Sequence, residues 1–569
     1  MLFPKARLRL GLAALSLTAL VLDSTLHSGK ASGALASQSP NPLVAQKDQA
    51  SELICPAQLG TAIEAVINRP QFRRARWGIL VEPLSPQTRN RPLYRHEAER
   101  YFIPASNTKL LTTAAALLAL GSDYQIRTSI YDAGAGALRV VGRGDPSLTD
   151  TQLRDLAQQL KRQGVRDVRE LLVEDSYFQG DVVHPSWEWE DIQADYGTSV
   201  NSLILNQNAV ELTLSPQQPG QPLRLSWSDA MASRQWRIEN ESVTADAGIP
   251  NSVTVTAVLG QPVLRIKGQL PVDAKPETFG MAIANPAQYF LQHLRNVLAL
   301  AGIKVGTVSV VSQVGTNRQR ELATVESPPL AALIFETNQN SNNLYAEVLL
   351  RTLQVSVQTS TRARFQTSPS DSDPPKSPFV IPLPSPFSRG KPEDASLFFL
   401  PGTLTKFFPL KKSGLKTDPS TSLPRNSADI GLQQLKATLT TLGVDPESYV
   451  MVDGSGLSRH NLVSPEAIAQ TLQLMAQTSQ ARVYRDSLPV AGVSGTLKNR
   501  FRNTAAQGHI QAKTGGMTGV SALSGYLNIP GEQPLVFSII VNQSDQSFAT
   551  LREAIDEIVL LLTRLRACS

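Results

Sequence analysis

Pro104-Ala105-Ser106-Asn107-Thr108-Lys109 stands directly before Leu110, Leu111, Ala114, Ala115, Leu117 and Leu118, an apolar set at helical spacing. Ser106 is therefore expected to open a buried helix, and Lys109, three positions on, shares its face. A serine hydroxyl is a weak nucleophile until a neighbouring base takes its proton, so the stretch pairs a nucleophile with its base. The backbone N–H of Ser106 falls among the unpaired donors of a first helical turn, where the dipole favours developing negative charge. To act as a base Lys109 must be neutral. Burial and a nearby cation have to bring its pKa down from about 10.4.

Two further elements complete the groups that serine acyl transfer needs: Ser341-Asn342-Asn343 and Lys513-Thr514-Gly515. Lys513 is the natural second cation. The stretch His509-Ile510-Gln511-Ala512 leading into it reads as an edge strand along which an extended peptide lies, with Lys513 and Thr514 holding a carboxylate. Taken alone, Ser341 and Asn343 read as a helix cap. Each tripeptide also has imitators. Ser388 to Lys391 and Ser413 to Lys416 read serine-x-x-lysine, Lys412-Ser413-Gly414 reads lysine-serine-glycine, and Ser199-Val200-Asn201 reads serine-x-asparagine. The first three lie in a proline- and serine-rich segment without an apolar period, which cannot open a packed helix. The residues alone leave Ser199 open.

The trio matches the set found in penicillin-recognising serine enzymes, and longer stretches narrow the likeness. Gly142-Arg143-Gly144-Asp145-Pro146-Ser147-Leu148, Glu174-Asp175-Ser176-Tyr177-Phe178, Trp187-Glu188-Trp189, Ser341 through Glu347, Asp453 through Ser458 and Leu523-Ser524-Gly525-Tyr526 resemble the low-molecular-mass class C penicillin-binding proteins, the D-alanyl-D-alanine carboxypeptidase/endopeptidase family of serine peptidases. The resemblance implies Ser106 as the acylated nucleophile, Lys109 as the base for acylation and Ser341 as a proton shuttle toward the leaving amine. It implies that Asn343 holds the substrate amide, that Lys513 and Thr514 bind the terminal carboxylate of a D-Ala-D-Ala peptide, and that Gly515 belongs to the same substrate-binding element. The backbone N–H groups of Ser106 and Gly516 would form the oxyanion hole, donors worth roughly 3 kcal/mol each in barrier height. The second element falls on Ser341 and not Ser199, because the family places it just before a helix reading like Leu344 to Leu350. The partners implied are peptidoglycan stem peptides and β-lactam antibiotics. A serine β-lactamase and a non-catalytic peptidoglycan-binding protein are the rival readings. The large inserted region argues against the first and the three intact elements against the second.

At 569 residues, with 41% hydrophobic and 18% charged residues, the chain is an ordinary globular sequence too long for one core. Its formal charge of +6 is spread without a dense basic block, so nucleic acid is not implied. Lys5, Arg7 and Arg9 precede an uncharged run from Leu10 to Leu22, which suits a signal peptide over residues 1–36. Periplasmic or otherwise extracytoplasmic localisation follows, with membrane association only if that segment is retained. The catalytic domain is expected in three parts, 37–121, 326–353 and 427–569. Between the first two lies an inserted, mainly β region, 122–325. Residues 354–426 form a Pro/Ser-rich low-complexity insertion whose composition predicts disorder.

The expected fold class is α/β: a transpeptidase/β-lactamase-like sandwich, an antiparallel sheet with helices on both faces. Its strands read at Ala75–Val81, Leu523–Ile529 and Leu535–Val541, and a closing helix runs from Phe548 to Arg566. Ser464-Pro465-Glu466 is a helix start with serine as cap, and Asp453 to Ser458 reads as a turn. Cys55 and Cys568 form an even pair in an oxidising compartment, and the resemblance, which packs the first and last helices side by side, favours a disulfide between them. Asp175 and Asp191 are candidates for an acidic subsite, and His509 reads as strand surface. No histidine pair has metal-ligand spacing, so neither metal nor cofactor is expected.

Overall fold

A computed structural model describes residues 53–84, 92–312, 319–355 and 426–566. The expected signal peptide, the imitator elements at Ser388 and Ser413, nearly all of the 354–426 segment and Cys568 lie outside the described residues. Two compact units form: one takes residues 189–198 and 208–285, and the other takes the rest of the described chain.

In the larger unit the central sheet has five strands in the order Ile510–Met517, Val520–Leu527, Leu535–Asn542, Arg76–Pro83 and Tyr94–His96. Every neighbouring pair is antiparallel. Side chains alternate across a strand with period two, which sorts this sheet into two cores. Ile79, Val81, Leu523, Leu527, Phe537, Ile539 and Val541 pack with helices Pro56–Ile67 and Phe548–Leu562. On the opposite face Leu80, Ala522, Tyr526, Val536 and Ile540 pack with helices Thr108–Leu120, Asn343–Thr352, Ser427–Leu442 and Pro465–Met475. Each fully buried aliphatic side chain contributes on the order of 1.5–3 kcal/mol, so both layers are strongly held. Gly78 permits the close approach on the second face, since a Cβ there would lie 2.5 Å from the Phe102 ring and 2.8 Å from Pro465.

This is the sandwich that the sequence predicts, with the expected terminal strands in place. The closing helix stops at Leu562, four residues short of Arg566. Beyond it the chain turns back on the amino end of the unit: Ile54 N donates to Arg564 O at 3.0 Å, and Arg566 N donates to Ile54 O at 3.1 Å. The expected helix start at Ser464 is also present, with its side chain accepting from Ala467 N at 3.0 Å.

A second five-stranded sheet of the same unit has the order Lys304–Val311, Asp167–Glu174, Ala137–Val141, Arg127–Gly134, Glu321–Glu326. Two of its pairings are parallel. Parallel neighbours need a crossover, and helix Asp150–Arg162 supplies one. That helix and Pro286–Leu300 correct the expectation of a mainly β region over 122–325. The signal was present, since Leu153, Leu156, Ala157 and Leu160 form a buried stripe at helical spacing. The smaller unit is β structure built from short strands between Ala209 and Ala282, with short helical turns at Asp195–Gly197 and Ala230–Ser233. Among the described residues no helix is long and apolar enough to cross a membrane.

Candidate active site

Ser106 lies in a single 3₁₀ turn, Ala105–Asn107, that runs directly into helix Thr108–Leu120. Lys109, near the start of that helix, is fully buried and brings Nζ to 3.0 Å from Ser106 Oγ. The same Nζ reaches Asn343 Oδ1 and Ser455 O, each at 2.6 Å. A neutral amine carries two protons and one lone pair. With two oxygens that can only accept occupying both protons, the lone pair faces the Ser106 hydroxyl, which then donates to it. Ala105, the residue before the nucleophile, has φ 47°. A left-handed non-glycine residue of this kind costs on the order of 1–3 kcal/mol and persists only where its surroundings enforce it. Here the Ala105 carbonyl accepts from Thr108 Oγ1 at 2.8 Å. Gly456, at φ +83°, closes over the same oxygen, and a Cβ there would sit 2.0 Å from it.

Burial pushes Lys109 down to about 7, against the pull of the Asp453 and Glu347 carboxylates in the opposite direction. Both carboxylates are firmly held. Glu347 Oε1 accepts from the N–H groups of Gly454 and Ser455 at 2.8 and 2.9 Å, and its Oε2 pairs with the buried Arg351 at 2.8 Å. Asp453 accepts from Gly456 N, Ser458 N, Asn461 Nδ2 and Trp187 Nε1 at 2.7 to 3.0 Å. The stretch read from sequence as a turn is thus the ledge that presents the Ser455 carbonyl to the base. Thr112 Oγ1 fixes it from the nucleophile helix by donating to Gly454 O at 2.7 Å. Residue types could not reveal Ser455, because it acts here through a main-chain oxygen.

Lys513 lies on the edge strand Ile510–Met517, and its Nζ donates to Ser341 Oγ at 2.8 Å and to Thr514 O at 3.0 Å. Burial first, and then the charge of Lys109, holds its pKa well below the ordinary lysine value. The register against Val520–Leu527 is unbroken, so the two-residue period can be carried along the strand. Ala512 N donates to Pro489 O, and Ile510 O accepts from Ala491 N, both at the outer edge. The main-chain groups of Thr514 and Gly516 therefore also face outward, beyond the part covered by Pro489–Ala491. Gly515 is required by proximity: a Cβ would come within 2.7 Å of Pro104 O and 3.3 Å of Ala105 Cβ. That approach sets the strand against the turn bearing Ser106. Gly516 backs onto the Phe548 ring, 2.4 Å from where a Cβ would be. The Thr514 hydroxyl bonds to Thr496 Oγ1 at 2.8 Å.

The three elements predicted from sequence are thus brought together, Ser106 to Lys109 to Asn343 on one side and Ser341 to Lys513 on the other. The helix cap that Ser341 and Asn343 could have formed belongs instead to Asn342, whose Oδ1 accepts from Tyr345 N at 3.2 Å. Ser341 itself takes φ 59°. At the competing Ser199 element, Asn201 is buried and donates to Asp175 Oδ2 at 3.0 Å. The other oxygen of Asp175 accepts from Ser202 N at 2.8 Å, so that carboxylate is committed to the local fold. Asp191 lies in the smaller unit and accepts from Tyr196 OH at 3.1 Å. His509 is half-buried in the turn just before strand Ile510–Met517, not on the strand, with its Nδ1 3.1 Å from Asn528 O.

A serine set against a buried lysine, with a second hydroxyl–lysine pair on the edge of an antiparallel sheet packed between helices, defines a penicillin-recognising serine hydrolase. The chain belongs to the D-Ala-D-Ala carboxypeptidase 3 (S13) family, whose model matches residues 59–368 and 420–565. It is 29% identical over 507 residues to a D-alanyl-D-alanine carboxypeptidase of Actinomadura sp. (strain R39), covering 85% of this chain and 81% of that one. It is 26% identical over 520 residues to a penicillin-sensitive carboxypeptidase A of Dictyostelium discoideum, covering 86% and 87%. The fold matches the crystal structure of penicillin binding protein 4 (dacB) from Haemophilus influenzae with a TM-score of 0.68 at 21% identity, over 88% of this chain and 98% of that one.

Proposed function

We propose that the protein cleaves D-alanyl-D-alanine peptides of peptidoglycan through an acyl-enzyme on Ser106, acting outside the cytoplasm. The observation that carries the mechanism is the Lys109 amine held between Asn343 Oδ1 and Ser455 O with its third direction on Ser106 Oγ. In acylation Lys109 Nζ takes the hydroxyl proton as Oγ attacks the carbonyl carbon of the penultimate D-alanine. The oxyanion forms between the N–H of Ser106 and the outward-facing N–H of Gly516. Asn343 holds the peptide amide, while Lys513 with Thr514 receives the terminal carboxylate of a substrate lying along the open edge, and Gly515 lets that strand approach the Ser106 turn.

As the tetrahedral intermediate collapses, the C–N bond breaks. Ser341, hydrogen-bonded to Lys513, passes a proton to the departing amine, and Lys109 returns its own through that hydroxyl. Water then attacks the ester, with its proton going to Lys109, and free Ser106 is restored. A carboxypeptidase releases D-alanine in this way; an endopeptidase acting on cross-links differs in its larger leaving group. A penicillin meets the same serine and yields a penicilloyl ester, in keeping with the penicillin-sensitive relative and with the β-lactam complex of the Haemophilus protein.

The test is intact mass against time with benzylpenicillin, followed by peptide mapping, alongside D-alanine release from a stem peptide. A persistent adduct on Ser106 together with D-alanine release supports the peptidase. Rapid return to the free mass with hydrolysed drug would make the protein a β-lactamase. The absence of both an adduct and turnover in folded protein would leave a peptidoglycan-binding protein.

A further inference from the structure

Within hydrogen-bond reach of the second element the chain makes an unusual turn. Asn206, Gln207 and Asn208 take φ 49°, 58° and 52° in succession, three left-handed non-glycine residues in a row. L-residues avoid this region, and Gln lacks the short side chain that lets Asn enter it with local hydrogen bonds. The turn is pinned from several directions. Asn206 N donates to Leu148 O at 2.9 Å, and Asn206 Nδ2 donates to Asp150 Oδ2 at 2.9 Å and to Tyr289 OH at 3.3 Å. Asp150 Oδ1 is in turn 2.7 Å from Nδ1 of the buried His293. Two helices, Asp150–Arg162 and Pro286–Leu300, thus anchor a backbone conformation that its own residues disfavour.

That conformation delivers the Gln207 side chain to the active site. Gln207 Oε1 accepts from Asn342 Nδ2 at 2.7 Å. Asn342 is the middle residue of Ser341-Asn342-Asn343, and its other side-chain atom, Oδ1, caps the following helix at Tyr345 N. Both ends of one amide are therefore engaged, one by the helix and one by Gln207, which settles the orientation of the amide. On either side of it stand Ser341, left-handed and bonded to Lys513, and Asn343, bonded to Lys109. A rotation of Asn342 would turn the backbone of both neighbours.

We infer that Gln207 is a positioning residue: from an anchored left-handed turn it clamps Asn342 and so holds Ser341 and Asn343 in register with the two lysines. The inference rests on the acyl-transfer reading of the site. Strain retained next to a catalytic turn is what such a clamp requires, because a relaxed turn would direct residue 207 elsewhere.

The test compares Gln207→Ala, Gln207→Gly and Gln207→Glu in the full chain by second-order acylation rate with benzylpenicillin, kcat and KM on a D-Ala-D-Ala peptide, and melting temperature. Glutamate keeps an oxygen for Asn342 Nδ2, so Q207E should acylate within about threefold of wild type. Q207A and Q207G lose the acceptor and should fall about tenfold or more, chiefly in kcat, as expected when reacting groups are misplaced by a fraction of an ångström. Glycine also relieves the left-handed strain, so Q207G should melt at or above the wild-type temperature while being slow. A merely structural residue cannot give that opposition. Q207A and Q207G acylating within about twofold of wild type would overturn the inference, as would Q207E being as slow as Q207A. Should wild type itself form no adduct, the acyl-transfer reading fails first and the clamp with it.

Discussion

Lowering the pH from about 8 to about 6 should slow acylation of Ser106 about tenfold. Acylation needs Lys109 neutral, and burial favours that form, which places the titration at about 7 where an exposed lysine would titrate at about 10.4. About ten elevenths of the molecules then carry the neutral amine at about pH 8, and about one eleventh at about pH 6. The rate should therefore rise with pH and level off. The assay is the second-order rate of penicilloyl adduct formation by intact mass across this range, with folding checked at each pH.

Glu347→Gln sharpens the test. The amide keeps an oxygen for the N–H groups of Gly454 and Ser455 but removes a carboxylate that pulls Lys109 upward, and the Arg351 cation left behind pushes the same way. The midpoint should move to lower pH. Breaking a buried pair costs about 3–5 kcal/mol, so the variant is measured well below its melting temperature, and the readout is the position of the limb, not its height. A rate that is flat from about pH 5.5 to about 8.5, a midpoint near 10, or an upward shift in E347Q would refute the assignment of Lys109 as a neutral base.

Ser106→Ala should abolish the penicilloyl adduct while leaving the melting temperature within about 2 °C, because the side chain is small and its loss opens no cavity of consequence; an adduct on S106A would place the nucleophile elsewhere. Gly515→Ala forces a Cβ to within 2.7 Å of Pro104 O and 3.1 Å of Ala522 Cβ, so calorimetry should show a loss of about 1–3 kcal/mol, with acylation falling more than tenfold as the strand is pushed from the Ser106 turn. Wild-type acylation in G515A would mean that the close approach is not needed. For the proposed Cys55–Cys568 bond, thiol titration of the denatured, unreduced protein should find no free thiol, and two after reduction. The pairing of Ile54 with Arg564 and Arg566 sets the residue before Cys55 beside the last described residues. Removing such a bond typically costs about 2–5 kcal/mol.

Local chemistry made much of this protein legible in one dimension. A serine and a lysine three apart at the head of an apolar helix must share a face whatever the rest of the chain does, and alternating strands at both ends of the sequence must present one side each to a covering layer. Ser106 and Lys109, the edge position of Lys513, the sandwich, and the cap at Ser464 all follow from those short periods. Helices Asp150–Arg162 and Pro286–Leu300 are equally legible, each carrying a buried apolar stripe at helical spacing.

Other features belong to the tertiary structure alone. The second acceptor on Lys109 is a main-chain carbonyl 346 positions away, and every residue type carries such a group. The Glu347 carboxylate that orders it acts across 107 positions. Asn342, and not its neighbours, is the cap, and Gln207 reaches it across 135 positions from a left-handed turn that no local preference favours. Sequence alone determined which chemical groups are available and which local element carries each. The folded chain decided which atoms face one another, and with that the protonation state of the base, because burial and the placing of buried charges depend on every element packed around the site.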